Sequence, residues 1–193
     1  VLVMEKIIGV KISDTSKIKK LGWSTKNIAE IGVRSLFKQV FEYGFFHGDP
    51  HPGNIFVVSN NCISYIDFGM MGRLSKKNKD ILKRAMIAIT NNNIREVERC
   101  AIALCESPDN VDHGKLTEDL SALISKNVSA GICDINITEF VTEFLDILVS
   151  NRLRVPKDIT MLARGSIVLE GTLSVVSPTI NLMEVFQNRV KDS

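Results

Sequence analysis

Residues 47–54 read HGDPHPGN and residues 65–69 read YIDFG, so acidic, amide and glycine residues recur at short spacing. Two short β-branched runs separated by Ser-Asn-Asn lie between them and predict a small β-hairpin. A hairpin brings its two ends together, so we expect Asn54, at the start of the first strand, near Asp67, which follows the second. With Asp49 in the preceding loop, three oxygen-bearing side chains would face one pocket.

The residue types of this predicted pocket favour one kind of chemistry. Carboxylate and amide oxygens suit Mg²⁺, which is usually shared between one or two carboxylates and a substrate phosphate. Asn54 and Asp67 are therefore predicted to hold the metal. Asp49 is left to orient an attacking hydroxyl or to accept its proton. This division suits phosphoryl transfer, in which the protein mainly positions groups and neutralises phosphate charge.

Hydrophobic spacing along the rest of the chain predicts a mainly α-helical fold with the hairpin as a small β element. An apolar run at residues 1–4 predicts a buried strand, a short segment follows at 7–12, and residues 45–54 are expected to form a loop. A long core helix is predicted from the N-cap pair Ser24-Thr25 to the C-cap Gly44. The other predicted elements are hairpin strands at 55–58 and 63–66, helices at 75–91, 94–106, 116–130, 138–150 and 156–176, and breaks at Pro108, Gly114, Gly131 and Asn151.

Composition and charge limit the class of partner. The chain has 193 residues, of which 45% are hydrophobic and 24% are charged, as is typical of a folded domain. Its net charge of +2 does not indicate a nucleic-acid partner. No uncharged apolar run approaches the ~18 residues of a membrane span. The cysteines lack metal-ligand spacing and indicate reduced thiols in a cytoplasmic setting; they are Cys62, Cys100, Cys105 and Cys133.

The joined motifs resemble a known family. The Asp-x4-Asn spacing followed by Asp-Phe-Gly matches the catalytic loop and metal loop of protein kinases, with His-Gly-Asp in place of His-Arg-Asp. The combination of HGDPHPGNI, YIDFGMMGRL and the opening VLVMEKIIGVKISD resembles the UbiB family of atypical, protein-kinase-like proteins. Residues 164–181 are similar to the closing region of that family, which extends the resemblance over the whole chain.

The resemblance implies a role for each motif residue. Asp49 would be the catalytic aspartate, and Asn54 and Asp67 would be the magnesium ligands. The cofactors would be ATP and Mg²⁺, and the activity would be that of an atypical kinase or ATPase supporting quinone or isoprenoid-lipid metabolism. A lipid or quinone-intermediate ligand and a peripheral contact with the membrane are further partners that the resemblance allows.

The same resemblance assigns the chain to the C-terminal lobe of a protein-kinase-like fold. Glu5, Lys6 and Ile7 would form the hinge, whose backbone meets adenine. The front lobe, with the KxGQ signature and the alanine-rich nucleotide loop of the family, would be missing, so we expect the isolated chain to be inactive. The expected division of residues 1–193 is a hinge region at 1–14, the catalytic and metal loops at 45–74, and a helical region at 75–188.

Other interpretations stay open on the sequence alone. His47 and His51 flank Asp49 at a spacing that invites a transition metal, although the prolines and Asn54 have no role in such a site and favour structural histidines. A small-molecule phosphotransferase of the aminoglycoside or choline kinase kind also uses an HGD-x4-N loop. A non-catalytic lobe would bind nucleotide only as a regulatory switch. The basic cluster at residues 76–84 is typical of a solvated helix face and would also attract anionic lipid headgroups.

Overall fold

A computed structural model describes residues 3–106, 111–129 and 136–180 of the chain. The described part is mostly helical and carries two small antiparallel sheets, which confirms the predicted mainly α-helical class. The helices are α1 (Thr15–Lys20), α2 (Thr25–Phe37), α3 (Lys76–Thr90), α4 (Ile94–Leu104), α5 (His113–Ser129), α6 (Ile137–Ser150) and α7 (Lys157–Val176). The strands are β1 (Val10–Lys11), β2 (Phe45–His47), β3 (Ile55–Ser59), β4 (Cys62–Tyr65) and β5 (Met71–Arg73).

The predicted hairpin is confirmed as β3 and β4, with Ile55 opposite Tyr65 and Val57 opposite Ile63. β1 pairs with the other edge of β3, so the strand order of this sheet is β1-β3-β4. Ile55 and Val57 are fully buried, because alternate residues of a strand share one face. The second sheet pairs β2 with β5.

Hydrogen bonds from side chains fix the hairpin turn against the start of α2. Asn60 Oδ1 accepts from Ser24 N at 2.7 Å. Asn27 Nδ2 donates to the Asn60 carbonyl at 2.6 Å and to Asn61 Oδ1 at 2.9 Å. Ser24 is also the N-cap of α2, and its hydroxyl accepts from Asn27 N. The tip of the hairpin therefore cannot move independently of this helix.

The helix predicted to end at Gly44 consists of two parts. α2 ends at Phe37 and continues as a π-helical segment, Lys38–Tyr43, in which Gly44 N donates to the Gln39 carbonyl. Gly44 has a left-handed conformation, with φ 65° and ψ 24°, as is usual at a helix C-terminus. Because a π-helical turn has a wider hydrogen-bonding interval than an α-helical turn, the segment changes which side chains face the neighbouring loop.

The strand predicted at the start of the chain is wrong for the residues that the structure describes. Val3 and Met4 form no strand and are 89% and 73% exposed, because pairing with β3 begins only at Val10. Val1 and Leu2 lie outside the described residues.

Three further details differ from the prediction. Residues 45–54 are not all loop, since β2 pairs with β5 and a short 3₁₀ turn covers Pro52–Asn54. Helix α1 was not predicted; the Asp14 side chain caps it. Gly114 is no break, because Asp112 Oδ1 accepts from Lys115 N and begins α5 ahead of the glycine. The breaks predicted at Pro108 and Gly131 lie outside the described residues.

The β1-β3-β4 sheet packs on a hydrophobic core to which α2 and α7 both contribute. This cluster contains Ile12, Ile28, Ile55, Leu169 and Leu173, all at most 1% exposed. A second cluster joins α4, α5 and α6. A third cluster includes Phe46 of β2 and links the π-helical segment to α3, α4 and α7. Residues 45–54 therefore lie between packed elements rather than on an open surface loop.

Helix α7 is the one described helix that is long and apolar enough to cross a membrane by length and composition. It packs on α2 and α6 in the structure, and it buries Ala163, Leu169 and Leu173. A core helix of this kind passes the same test, so the finding is weak evidence for a membrane span.

The close approach of Gly72 to Phe46 gives a test of the second sheet. A Cβ atom at Gly72 would lie 2.1 Å from Phe46 Cζ, and Phe46 is fully buried. Gly72→Ala should therefore lower the free energy of unfolding by ~1–3 kcal/mol through overpacking, as measured by urea denaturation. Gly114→Ala is the matched control, since its Cβ would meet nothing closer than 3.4 Å. Equal stability of the two variants would contradict this packing.

Candidate active site

The imidazole of His47 connects the two predicted loops. His47 Nδ1 accepts from Asp49 N at 3.1 Å, so the ring proton of the neutral imidazole is on Nε2, which lies 3.2 Å from the Ile66 carbonyl. The ring also packs beside Tyr65 and Phe68, at centroid distances of 5.6 and 6.0 Å. His47 is 2% exposed. It therefore fixes the backbone at Asp49 and at the residue that precedes Asp67.

Asn54 is held at the entry to β3 by the same loop. Its side-chain Nδ2 donates to the Asp49 carbonyl at 3.2 Å, and its backbone carbonyl accepts from Ile66 N at 2.9 Å across the hairpin. The residue is 6% exposed. Because the amide nitrogen is bound to Asp49, the orientation of the amide is set. No hydrogen bond to its Oδ1 atom is found within residues 3–106, 111–129 and 136–180, which leaves this oxygen as a donor for a cation.

Asp67 follows β4 in a strained backbone conformation. Its φ is 58°, in the left-handed region that few non-glycine residues adopt. Asp67 Oδ1 accepts from Gly69 N at 3.2 Å, a local turn that aspartate tolerates well. The side chain is exposed. This local turn and the Asn54–Ile66 bond across the hairpin set the direction in which the Asp67 carboxylate leaves the sheet.

The structure joins Asp49 to Asn54 by a hydrogen bond and links both to the residue next to Asp67. It does not join the residues predicted to form the hinge to them in the same way. Glu5 and Lys6 are exposed and Ile7 is partly exposed, in a segment without regular structure ahead of β1. No hydrogen bond connects these three residues to the two loops within the described part of the chain.

Helix α7 packs against residues 47–50. A Cβ atom at Gly165 would lie 3.0 Å from the His47 carbonyl, so a larger residue would require the loop or the helix to shift by a few tenths of an ångström. Met161 packs at Gly48. Farther along the helix, the buried hydroxyl of Thr172 lies 3.2 Å from the Pro50 carbonyl. The loop is thus backed along its length by one rigid element.

The transition-metal interpretation of the histidines does not fit this geometry. Both ring nitrogens of His47 face internal hydrogen-bond partners. His51 Nδ1 accepts from Gly53 N at 3.0 Å and caps the 3₁₀ turn. His47 therefore has no free ring nitrogen for a metal, and His51 has a capping role. Among the described residues no group of three or more His, Cys, Asp and Glu side chains could hold a metal ion.

The oxygen donors at this site do fit magnesium. An amide oxygen from Asn54 and a carboxylate from Asp67 are hard ligands, and two protein ligands leave the positions that Mg²⁺ fills with water and phosphate oxygens. The ring nitrogens of His47 do not compete as ligands, because both face hydrogen-bond partners. The donor chemistry therefore agrees with the magnesium site expected from the sequence.

Sequence reasoning missed several residues that support the site. Gln39 Oε1 accepts from His47 N at 2.8 Å, and its amide nitrogen donates to Ser35 Oγ at 3.0 Å. Burial raises the pKa of the Tyr65 phenol, against the opposing effect of hydrogen bonds to Ser35 and Gln39. Thr172 on α7 was missed as well. The only sequence signal for Gln39 and Thr172 is a polar residue among apolar residues of a helix. Such a signal does not reveal which part of the chain the residue contacts.

Two glycines of α7 give a matched test of its contact with the loop. Gly165→Ala would place its methyl group 3.0 Å from the His47 carbonyl, whereas a Cβ at Gly171 would meet nothing within 4 Å. Gly165→Ala should therefore speed amide hydrogen exchange of Gly48 and Asp49 by separating the loop from the helix. Gly171→Ala should leave this exchange unchanged. Equal exchange rates in both variants would contradict the close approach of α7.

Comparison with known proteins identifies the family. Residues 1–101 match the ABC1 atypical kinase-like domain. An uncharacterised protein in the hydrogenase 1 5′ region of Clostridium pasteurianum is 34% identical over 191 residues, which cover 99% of this chain and 36% of that protein. The chloroplastic protein ACTIVITY OF BC1 COMPLEX KINASE 1 of Arabidopsis thaliana is 31% identical over 185 residues, or 96% of this chain and 27% of that protein.

A probable protein kinase UbiB of Histophilus somni is 26% identical over 188 residues, which cover 95% of this chain and 35% of that protein. The chain thus spans between 27% and 36% of the length of these three relatives. The family model covers more than half of the chain, and the UbiB resemblance expected from the motifs is confirmed. The chain belongs to the ABC1 atypical kinase-like family, whose members include UbiB proteins.

Proposed function

We propose that the chain forms the C-terminal lobe of an ATP- and Mg²⁺-dependent atypical kinase or ATPase of the UbiB type. Membership of the ABC1 atypical kinase-like family supports the kinase-like class. The chain covers only part of its relatives' length, so the activity is proposed for the intact protein. A front lobe supplied by further sequence would complete the nucleotide pocket, and residues 1–14, 45–74 and 75–188 would be the hinge region, the two loops and the helical region.

The observation that carries the proposal is the pair of hydrogen bonds made by the His47 ring. One holds the backbone of Asp49 and the other holds Ile66, beside Asp67. Phosphoryl transfer depends on positioning and on charge neutralisation more than on covalent chemistry. A buried ring that locks both loops together supplies such positioning without taking part in the reaction.

Each site residue then has a distinct task. Asn54 Oδ1 and the Asp67 carboxylate would hold Mg²⁺, which supplies charge neutralisation at the phosphate oxygens when it is bound. The Asp49 carboxylate would orient the attacking hydroxyl or water and accept its proton. No hydrogen bond to this carboxylate is found among the described residues, so it is free for this role. Pro50 is buried and stiffens the loop next to Asp49.

The adenine would be met by the backbone of Glu5, Lys6 and Ile7. Support for this part of the proposal comes from chain order: the segment leads directly into β1, which pairs with β3 beside the site. Glu5 and Lys6 have exposed side chains, which suits a hinge that acts through its backbone.

The phosphoryl acceptor and the biological role rest on the family alone. We infer support of quinone or isoprenoid-lipid metabolism, with a lipid or quinone-intermediate ligand and a cytoplasmic location in peripheral contact with a membrane. Family membership disfavours a soluble-substrate phosphotransferase of the aminoglycoside or choline kinase kind. Stimulation of ATP turnover by prenyl lipids rather than by amino-alcohols would support this choice of acceptor class.

Asp49→Asn tests the catalytic assignment. In the intact protein this variant should lose ATP turnover by a factor of ~10² or more, because an amide cannot accept the proton, while the unfolding midpoint changes little. The measurement is ADP release in the presence of Mg²⁺. Asp80→Asn, on the exposed face of α3, is the matched control and should keep full activity. Unchanged turnover in Asp49→Asn would remove Asp49 from the mechanism. Nucleotide binding without any turnover in the wild type would favour a regulatory module.

Asp67→Asn tests the metal assignment. Removing one carboxylate charge from the site should raise the Mg²⁺ concentration needed for half-maximal turnover by ~10-fold or more. A titration of activity against free Mg²⁺ in the intact protein measures this shift, with Asp80→Asn again as the control for charge. An unchanged Mg²⁺ requirement would mean that the ion is held elsewhere.

A further inference from the structure

We infer that Gln39 is a positioning residue for the catalytic loop, because its side chain fixes His47 and, through His47, both Asp49 and the residue before Asp67. The inference rests on the proposed function, since it assigns a supporting role within the same site. Gln39 belongs to the π-helical segment that follows α2 and is not part of either motif.

The first step concerns the backbone of β2. Gly48 N donates to the Met70 carbonyl at 2.7 Å, on the side of β2 that faces β5. Successive amides of an extended strand point to opposite sides, so the amide of His47 points away from β5. Within the described chain, β2 pairs only with β5. Gln39 Oε1 replaces a strand partner and accepts from His47 N at 2.8 Å.

The second step concerns the orientation of Gln39 itself. Its Nε2 atom donates to Ser35 Oγ at 3.0 Å, one helical turn earlier. Burial raises the pKa of the Tyr65 phenol, and side-chain hydrogen bonds to Ser35 and Gln39 oppose this rise. Both ends of the Gln39 amide are therefore engaged, and the oxygen is aimed at β2. The carbonyl of Gln39 accepts from Gly44 N in the π-helical turn, which anchors the backbone as well.

The third step connects His47 to the two acidic residues. His47 Nδ1 accepts from Asp49 N, and Nε2 lies 3.2 Å from the Ile66 carbonyl. A shift of His47 would thus be transmitted to the loop of Asp49 and to the end of β4 together. Since the ring is 2% exposed and packs beside Tyr65, it cannot relieve such a shift by rotating into solvent.

The test replaces Gln39 in the intact protein and separates kcat from KM for ATP. Gln39→Met keeps the size of the side chain but removes the acceptor, and it should lower kcat by ~10-fold or more through misplacement of the loop. KM for ATP should stay within about two-fold of the wild-type value, because the substitution removes no contact with ATP. Gln39→Glu keeps an oxygen acceptor for His47 N and should recover most of the lost kcat. If Gln39→Met does not fold, Gln39→Asn withdraws the same amide from His47 N and carries the same expectation.

Asn127→Leu is the matched control. Asn127 Nδ2 donates to the Leu123 carbonyl at 2.7 Å, so this variant also loses an amide hydrogen bond, but within helix α5 and with no bond to the two loops. It should keep both kcat and KM. A second readout, amide hydrogen exchange of residues 46–49, should rise in Gln39→Met and stay unchanged in Asn127→Leu.

The two proposals fail in different ways. Unchanged kcat in Gln39→Met, with Asp49→Asn inactive, would overturn the role of Gln39 and leave the proposed function standing. If kcat falls by the same factor in Gln39→Met and in the control Asn127→Leu, the role of Gln39 is overturned as well. Absence of ATP turnover in the wild-type protein would overturn the proposed function, and unchanged exchange of residues 46–49 would then overturn the positioning contact on its own.

Discussion

The hydrogen bonds of the His47 ring are the constraint on which the rest of the site depends. One nitrogen accepts from Asp49 N and the other faces the Ile66 carbonyl. A single buried ring therefore holds two residues that are 17 positions apart in the sequence. An unmade hydrogen bond in such a buried place would cost about 1–3 kcal/mol. The ring is therefore a structural link between the two loops rather than a metal ligand.

Several elements distant in sequence support this ring. α7 approaches the backbone carbonyl of His47 closely at Gly165, and Thr172 on the same helix lies 3.2 Å from the Pro50 carbonyl. The π-helical segment after α2 brings Gln39 to its backbone amide. Rigid support of this kind is what phosphoryl transfer asks of a protein, because orientation supplies much of the rate. Residues 47–54 are thus held by α7 and by the π-helical segment after α2.

The hairpin and the two loops were predictable because their signals are local. Turn residues between two β-branched runs indicate that Asn54 and the residues before Asp67 come together, and the cross-strand bond from Ile66 N to the Asn54 carbonyl agrees with this. The contacts of Gln39 and Thr172 were not predictable, since each depends on a partner that only the tertiary fold brings near. The apolar residues Val3 and Met4 suggested a strand, but a strand requires a partner and these residues are exposed. The positive φ of Asp67 was not predicted from the spacing, although aspartate tolerates this conformation.

The most direct test is a crystal structure of the intact protein with Mg²⁺ and a non-hydrolysable ATP analogue. We expect an ion ~2.0–2.1 Å from Asn54 Oδ1 and from a carboxylate oxygen of Asp67, with analogue phosphate oxygens completing its shell. The Asp49 carboxylate should then face the terminal phosphate. An ion bound away from Asn54 and Asp67, or an Asp49 carboxylate turned away from the phosphate, would contradict this expectation.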